Sequence, residues 1–237
     1  MILSGKVALV VGGGRGIGEA IALAFAREGA DVAVAARTGS EIEDLASRIR
    51  ESGRRALAVK TDITDEYAVS AMVDTVIAEL GHLDILVNSA GVSVHAPVER
   101  IRTEDWLYTM AVNLTGPFLC CRAVLPHMLD RDGGRIITIG SAASKKGYPD
   151  LGAYSASKFG VLGFSEVLAR EVESKGIRVN VICPGPVATR MRATNFPDED
   201  PATIAQAEDL ADLAVFLASD QGHIFSGAAL DVVQPDD

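Results

Sequence analysis

Residues 6–18, KVALVVGGGRGIG, limit the fold more than any other stretch of this chain. A short run that is apolar after its first lysine fits a strand buried on both faces. Gly12, Gly16 and Gly18 follow, and a helical pattern, EAIALAFAREGA, leaves the last of them. Glycine allows a sharp turn and close backbone approach, and a helix start offers unpaired N–H groups and partial positive charge to phosphate. A strand, a glycine turn and a helix in this order predict a site for a nucleotide pyrophosphate. The spacing differs from G-x-G-x-x-G, whose first two glycines are closer, so an ordinary strand-to-helix turn stays the alternative at this point.

The alternation continues. Strands are expected at 31–36, 56–60, 83–88, 135–140, 177–183 and 228–233, with helices at 40–53, 65–80, 104–129, 152–174 and 208–219 between them. Ser40 with Glu43 suggests a capped start for the first of these helices, and Gly53 and Gly81 close two of them. Pro117 and Pro126 predict a kink and a late break in the 104–129 helix. Residues 189–201, with Pro197 and Pro201 around an acidic run, read as the least structured segment. Strands and helices alternating through short turns imply a parallel sheet covered on both faces. The expectation is α/β: one doubly wound, Rossmann-type domain over residues 1–237. It has a mainly parallel seven-stranded sheet flanked by helices and a short substrate lid at about 189–207.

Composition narrows the function classes. The net charge is −10, and no Lys/Arg run exceeds two residues. A chain of this kind is a poor partner for nucleic acid or an anionic membrane. No apolar run nears the about eighteen residues that span a bilayer, and the start carries no basic, cleavable leader. Cys120, Cys121 and Cys183 are odd in number and unpatterned, which argues against a disulfide scaffold. The four histidines show no metal-ligand spacing, so no metal is expected. The reading is a cytoplasmic protein with reduced thiols.

Two further patterns carry chemistry. Tyr154 and Lys158 stand four apart in a helical segment and so share one face. A neighbouring ammonium favours phenolate and would lower the tyrosine pKa toward neutral, suiting it to pass protons. Ser141, at a strand end, adds a hydroxyl. At the end of the second strand, where an acid would bind the ribose hydroxyls of NAD, stand Ala36 and Arg37, with Arg15 in the glycine turn. Two guanidiniums there suit a ribose phosphate, which favours NADP(H) over NAD(H). Arg37 as a solvated loop residue is the plainer alternative.

In order along the chain, these pieces resemble the short-chain dehydrogenase/reductase family over nearly its whole length, and 3-oxoacyl-carrier-protein reductases within it. The matching residues are Gly12, Gly16 and Gly18; Asp62; Asn88-Ser89-Ala90-Gly91; Asn113; Ser141; Tyr154 and Lys158; and Pro184-Gly185 with Thr189. The resemblance implies that Tyr154 is general acid and base, and that Lys158 holds the nicotinamide ribose and lowers the Tyr154 pKa. It implies that Ser141 binds the substrate oxygen and that Asn113 holds a relay water. Asp62 with Ile63 would meet the adenine, Arg15, Ile17 and Arg37 the phosphates and ribose, and Asn88, Ala90 and Gly91 the ribose side. Pro184, Gly185, Val187 and Thr189 would hold the nicotinamide end. The chain departs from the family at Val11, where Thr is common, and at Ser89 in place of a second Asn. The segment after Thr189 is shorter than in many relatives, and the last strand lacks a following Asp-Gly-Gly.

The expected activity is hydride transfer between nicotinamide and a carbonyl or secondary alcohol, on a small-molecule substrate, with a 3-oxoacyl thioester as the first choice. An NAD(H)-dependent alcohol, sugar or steroid-like dehydrogenase and a non-catalytic nucleotide-binding regulator are the rivals. His95, Tyr148 and Met191 are substrate-side candidates, each with a bland alternative as solvated or packing residues. The resemblance also implies a homotetramer, with a homodimer not separable from it.

Overall fold

In the computed structural model, which describes residues 1–232, seven strands form one parallel sheet. They are β1 (Val7–Val11), β2 (Asp31–Ala36), β3 (Ala56–Lys60), β4 (Ile85–Asn88), β5 (Gly134–Ile139), β6 (Ile177–Pro184) and β7 (Ala229–Val232). Their order across the sheet is β3-β2-β1-β4-β5-β6-β7, with every neighbour parallel. The chain builds outward from β1 to β3, then returns to place β4 on the other side of β1. That reversal opens a crevice beyond the carboxyl ends of β1 and β4, where ligands bind in such sheets.

Strand β1 explains why the sheet is covered twice. Ala8 and Val10 point into one apolar cluster with Ile21 and Phe25 of α1 (Gly16–Arg27), Leu45 of α2 (Gly39–Glu51) and Leu210 of α8 (Ala207–Ala218). Val7, Leu9 and Val11 point into the other, with Met72 of α3 (Glu66–Leu80), Val124 of α5 (Gly116–Asp130) and Leu168 of α6 (Gly152–Val172). Successive side chains alternate between faces, so a strand covered on both sides must be apolar throughout. Each fully buried large side chain contributes about 1.5–3 kcal/mol over an exposed one.

The structure differs from the sequence reading in four places. The helix expected at 104–129 is two helices, α4 (Thr103–Met110) and α5, joined by a widened π turn at Ala111–Thr115. Pro117 has no N–H to offer the Asn113 carbonyl and its ring crowds it, so the turn before it opens. Pro126, expected to break the helix, lies inside α5, which runs on to Asp130. Ser40 does not cap α2; Thr38 precedes the helix, and its side chain makes no capping bond. The segment expected to be least structured holds α7 (Arg190–Asn195), started by the Thr189 hydroxyl accepting from Arg192 N at 3.2 Å. Val233, expected in the last strand, lies outside the described residues.

Candidate active site

The crevice opens into a cavity of about 930 Å³. Its first part is shaped by the glycine turn. Gly12 has φ +81, and a Cβ there would lie 2.4 Å from Ala90 N. A Cβ on Gly18 would fall 2.3 Å from the Gly12 carbonyl oxygen, so Gly18 closes α1 against the turn behind the cavity and does not line it. Gly12, Arg15, Gly16, Ile17, Arg37, Asp62, Ile63, Ala90 and Gly91 line the part nearest β1 and β2. Ser141, Tyr154, Lys158, Pro184, Gly185, Val187 and Thr189 line the part beyond β5 and β6, together with His95, Tyr148 and Met191. Asn88 and Asn113 stand behind the wall, both buried.

Strand ends and helix starts fix the reacting cluster. Ser141 follows β5; its Oγ accepts from Ala143 N at 3.1 Å while Ser144 Oγ accepts from Ser141 N at 3.1 Å. That pairing anchors the Ser141 oxygen and leaves its hydrogen to point at the Tyr154 phenol oxygen. Lys158 is buried on the first turns of α6 and donates from Nζ to the Ile139 carbonyl at 2.8 Å, with Nζ 5.6 Å from the Tyr154 ring centroid. Burial brings the Lys158 ammonium down to about 8. Burial raises the Tyr154 phenol above its ordinary value, and the nearby Ser141 hydroxyl offsets part of this. The sequence expectation is a Tyr154 lowered by Lys158; in the protein alone, loss of solvent raises it, and the opposing influence comes from Ser141 rather than Lys158.

Asn113 owes its position to the widened turn. Its Oδ1 accepts from Val92 N at 2.8 Å, and its Nδ2 donates to Val92 O at 2.9 Å and Ser157 Oγ at 3.0 Å. It therefore ties the loop after β4 to α6. Gly91 lies between Asn113 and Lys158: a Cβ there would be 3.6 Å from Asn113 Oδ1 and 3.9 Å from Lys158 Nζ. Asn88 Nδ2 lies 3.5 Å from Thr138 Oγ1, and its buried Oδ1 has no partner among the described residues. Asp62 accepts from Thr64 N at 3.0 Å and Thr64 Oγ1 at 2.8 Å. The Thr64 amide chiefly, and Arg37 to a lesser degree, hold its carboxyl below the usual range. Cys120, Cys121 and Cys183 are free and buried, and burial raises all three thiols, Cys121 to about 12.

The far end of the cavity is built from loops. Ala96 N donates to Asp150 O at 2.8 Å, joining the segment after β4 to the one after β5. Ala188 N donates to Ala205 O at 2.8 Å and closes the base of the 188–205 segment. Within it, Arg192 makes a bidentate pair with Glu199 at 2.6 and 2.7 Å. Its guanidinium lies 3.6 Å from the Phe196 ring centroid. Phe196 meets His95 edge-on at 5.5 Å. Sequence reasoning singled out His95 but missed Arg192 and Phe196. The Arg-x₆-Glu spacing across Pro197 carried no signal by itself.

The chain matches the short chain dehydrogenase family over residues 6–200. A D-threitol dehydrogenase of Mycolicibacterium smegmatis is 42% identical to it, covering 96% of this chain and 91% of the relative. A 3-oxoacyl-[acyl-carrier-protein] reductase of Synechocystis is 38% identical, covering 92% of this chain and 91% of the relative. Among solved structures, a protein of Beutenbergia cavernae provisionally assigned as an NAD(P) dependent gluconate 5-dehydrogenase, with NADP bound at low occupancy, superposes with TM-score 0.91. It is 35% identical, covering 97% of this chain and 95% of that one. The protein belongs to the short-chain dehydrogenase/reductase family and resembles its 3-oxoacyl-carrier-protein reductases; it is an oxidoreductase of that family.

Enzymes of this family use a nicotinamide dinucleotide, and the residues here fit one. Two guanidiniums, one of them on the glycine-rich turn, stand at one end and a buried ammonium, a phenol and a hydroxyl at the other, along one continuous cavity.

Proposed function

We propose that the protein is an NADP(H)-dependent oxidoreductase of small carbonyls and secondary alcohols. The observation that carries the reading is the meeting of Ser141, Tyr154 and Lys158 in the same cavity as Arg15 and Arg37. When bound, the nicotinamide supplies or receives the hydride. Tyr154 then gives a proton to the carbonyl oxygen in reduction and takes one in oxidation. Burial keeps its phenol protonated, the state that reduction requires. The Ser141 hydrogen points charge stabilisation at the substrate oxygen. Lys158 holds the ribose hydroxyls, and Asn113 positions a water that joins Lys158 to solvent. Asp62 and Ile63 receive the adenine, and Pro184, Gly185, Val187 and Thr189 the nicotinamide end.

A small polyol and its ketose fit the substrate end. Ser93, His95, Tyr148, Thr194 and Asn195 bring hydroxyl, imidazole and amide groups to it, and the threitol-oxidising relative is 42% identical. The second reading, a 3-oxoacyl thioester, is supported by the resemblance to the carrier-protein reductases. The whole chain acts as one domain in this reading, with residues 189–207 as a short lid. Leu107, Phe118, Phe159 and Val167 are exposed on α4, α5 and α6, which supports self-association as a homotetramer or homodimer. Three buried, unpaired cysteines support a cytoplasmic setting.

The test is NADPH and NADH turnover, followed by nicotinamide absorbance, with four-carbon polyols, ketoses and acetoacetyl thioesters. Turnover of a polyol with NADP⁺ is expected, and Arg37→Glu should remove the preference for NADPH. Equal use of NADH and NADPH by the parent would overturn the cofactor assignment.

A further inference from the structure

The two arginines at the β2 end of the cavity are held by partners of opposite electrical character. Arg37 Nη1 donates to the Tyr108 hydroxyl at 2.5 Å, and its guanidinium carbon lies 5.7 Å from that ring's centroid. Tyr108 carries an uncharged hydroxyl, sits on α4 and does not itself line the cavity. Among the described residues, no carboxylate lies within ion-pair distance of Arg37; Asp62, whose Oδ1 is taken by Thr64, feels its charge only as a minor influence. Arg15 Nη1 instead meets Glu41 Oε1 at 3.3 Å. Glu41 also lines the cavity, where a Cβ on Gly14 would be 3.2 Å from its Oε2.

These pairings make the arginines unequal. A neutral acceptor fixes the guanidinium plane, removes only one of its five donors and leaves its full charge for an incoming anion. A carboxylate compensates the charge and adds a negative group that repels the same anion. We infer that Tyr108 and Glu41 are positioning residues that set the cofactor preference from behind the arginines, in opposite senses. Tyr108 presents Arg37 to the ribose 2′-phosphate, whereas Glu41 withholds Arg15 from it. The inference rests on the NADP(H) reading above and refines it: Arg37 is the phosphate receiver, and Arg15 contributes only when released.

Binding to the cofactor-free protein tests this apart from turnover. Calorimetry with 2′,5′-ADP and 5′-AMP isolates the phosphate, and NADPH and NADH fluorescence extends the comparison to whole cofactors. Tyr108→Phe should weaken 2′,5′-ADP and NADPH about fivefold, the scale of one lost hydrogen bond. It should leave 5′-AMP and NADH unchanged and raise the KM for NADPH at constant kcat. Glu41→Gln should tighten 2′,5′-ADP and NADPH alone. Both side chains are partly exposed, so neither change removes core packing. Tyr108→Phe acting equally on all four ligands, or on none, would overturn the inference, as would weaker 2′,5′-ADP binding in Glu41→Gln. If Arg37→Glu shifts the NADPH:NADH ratio while these two variants do not, the NADP(H) reading stands and the inference falls. If Arg37→Glu does nothing, both fall.

Discussion

The two ends of the cavity are built by different means. The β1–β4 end is made of backbone: strand ends, a glycine turn and Ala90, packed so closely that a Cβ at Gly12 or Gly18 would lie under 2.5 Å from main-chain atoms. The far end is made of side chains on loops: His95, Phe196, Arg192 and Glu199, held by one ion pair and two ring contacts. Backbone packing leaves almost no freedom of residue type. Side-chain stacking can be rebuilt with other residues, so the second end is where a substrate preference can be changed without disturbing the fold.

Substitutions at the two ends should therefore fail differently. Gly18→Ala should cost stability, about 1–3 kcal/mol as for overpacking of a tight core, and weaken every dinucleotide ligand. Chemical denaturation checks it; a variant as stable as the parent would remove the contrast. Phe196→Ala should leave stability and NADPH binding near parental values. It should raise the substrate KM about tenfold, the scale of a lost apolar contact. A matching loss of NADPH affinity would show that the two ends are one unit.

Lys158 joins the ends, and its titration offers a smaller test. Its folded pKa, about 8, lies below the ordinary lysine value of 10.5. Between these values the unfolded chain binds more protons than the folded one, so stability rises with pH. The cost of burying the ammonium is full below about 8 and fades as pH climbs toward 10.5. Wild type should gain stability relative to Lys158→Met between these limits. Taking the difference removes the opposite drift from Tyr154 and Cys183, whose raised values favour the folded state less as pH rises. A flat difference would mean that Lys158 is solvated.

The sequence was most readable where chemistry and backbone leave one choice. Gly12, Gly16 and Gly18 after an apolar strand, and Tyr154 one turn from Lys158, follow from local geometry, and with them the sheet and its crevice. The widened turn at Ala111–Thr115 was half visible, because Pro117 marks a disturbance without saying whether the helix bends, breaks or opens. Long-range side-chain contacts were not visible at all. Arg37 and Tyr108 are 71 residues apart, and nothing local to either names the other. The order in the 189–205 segment was hidden for a similar reason. Its acidic run and prolines read as loop, while the Arg192–Glu199 pair and the Ala188–Ala205 bond that shape it form only once the segment closes.

At the junction of both ends stands Tyr154, and the account depends on its proton. Its raised phenol also sets a direction with pH: alcohol oxidation, which needs phenolate, should climb through the alkaline range, while carbonyl reduction should not. The most direct measurement is Tyr154→Phe under saturating NADPH and carbonyl substrate, with NADPH affinity measured in parallel. Turnover should fall about 10²–10⁴-fold, the range for a lost general acid, while NADPH binds as in the parent. Parental turnover from the phenylalanine variant would contradict the assignment of Tyr154 as the group that moves the proton.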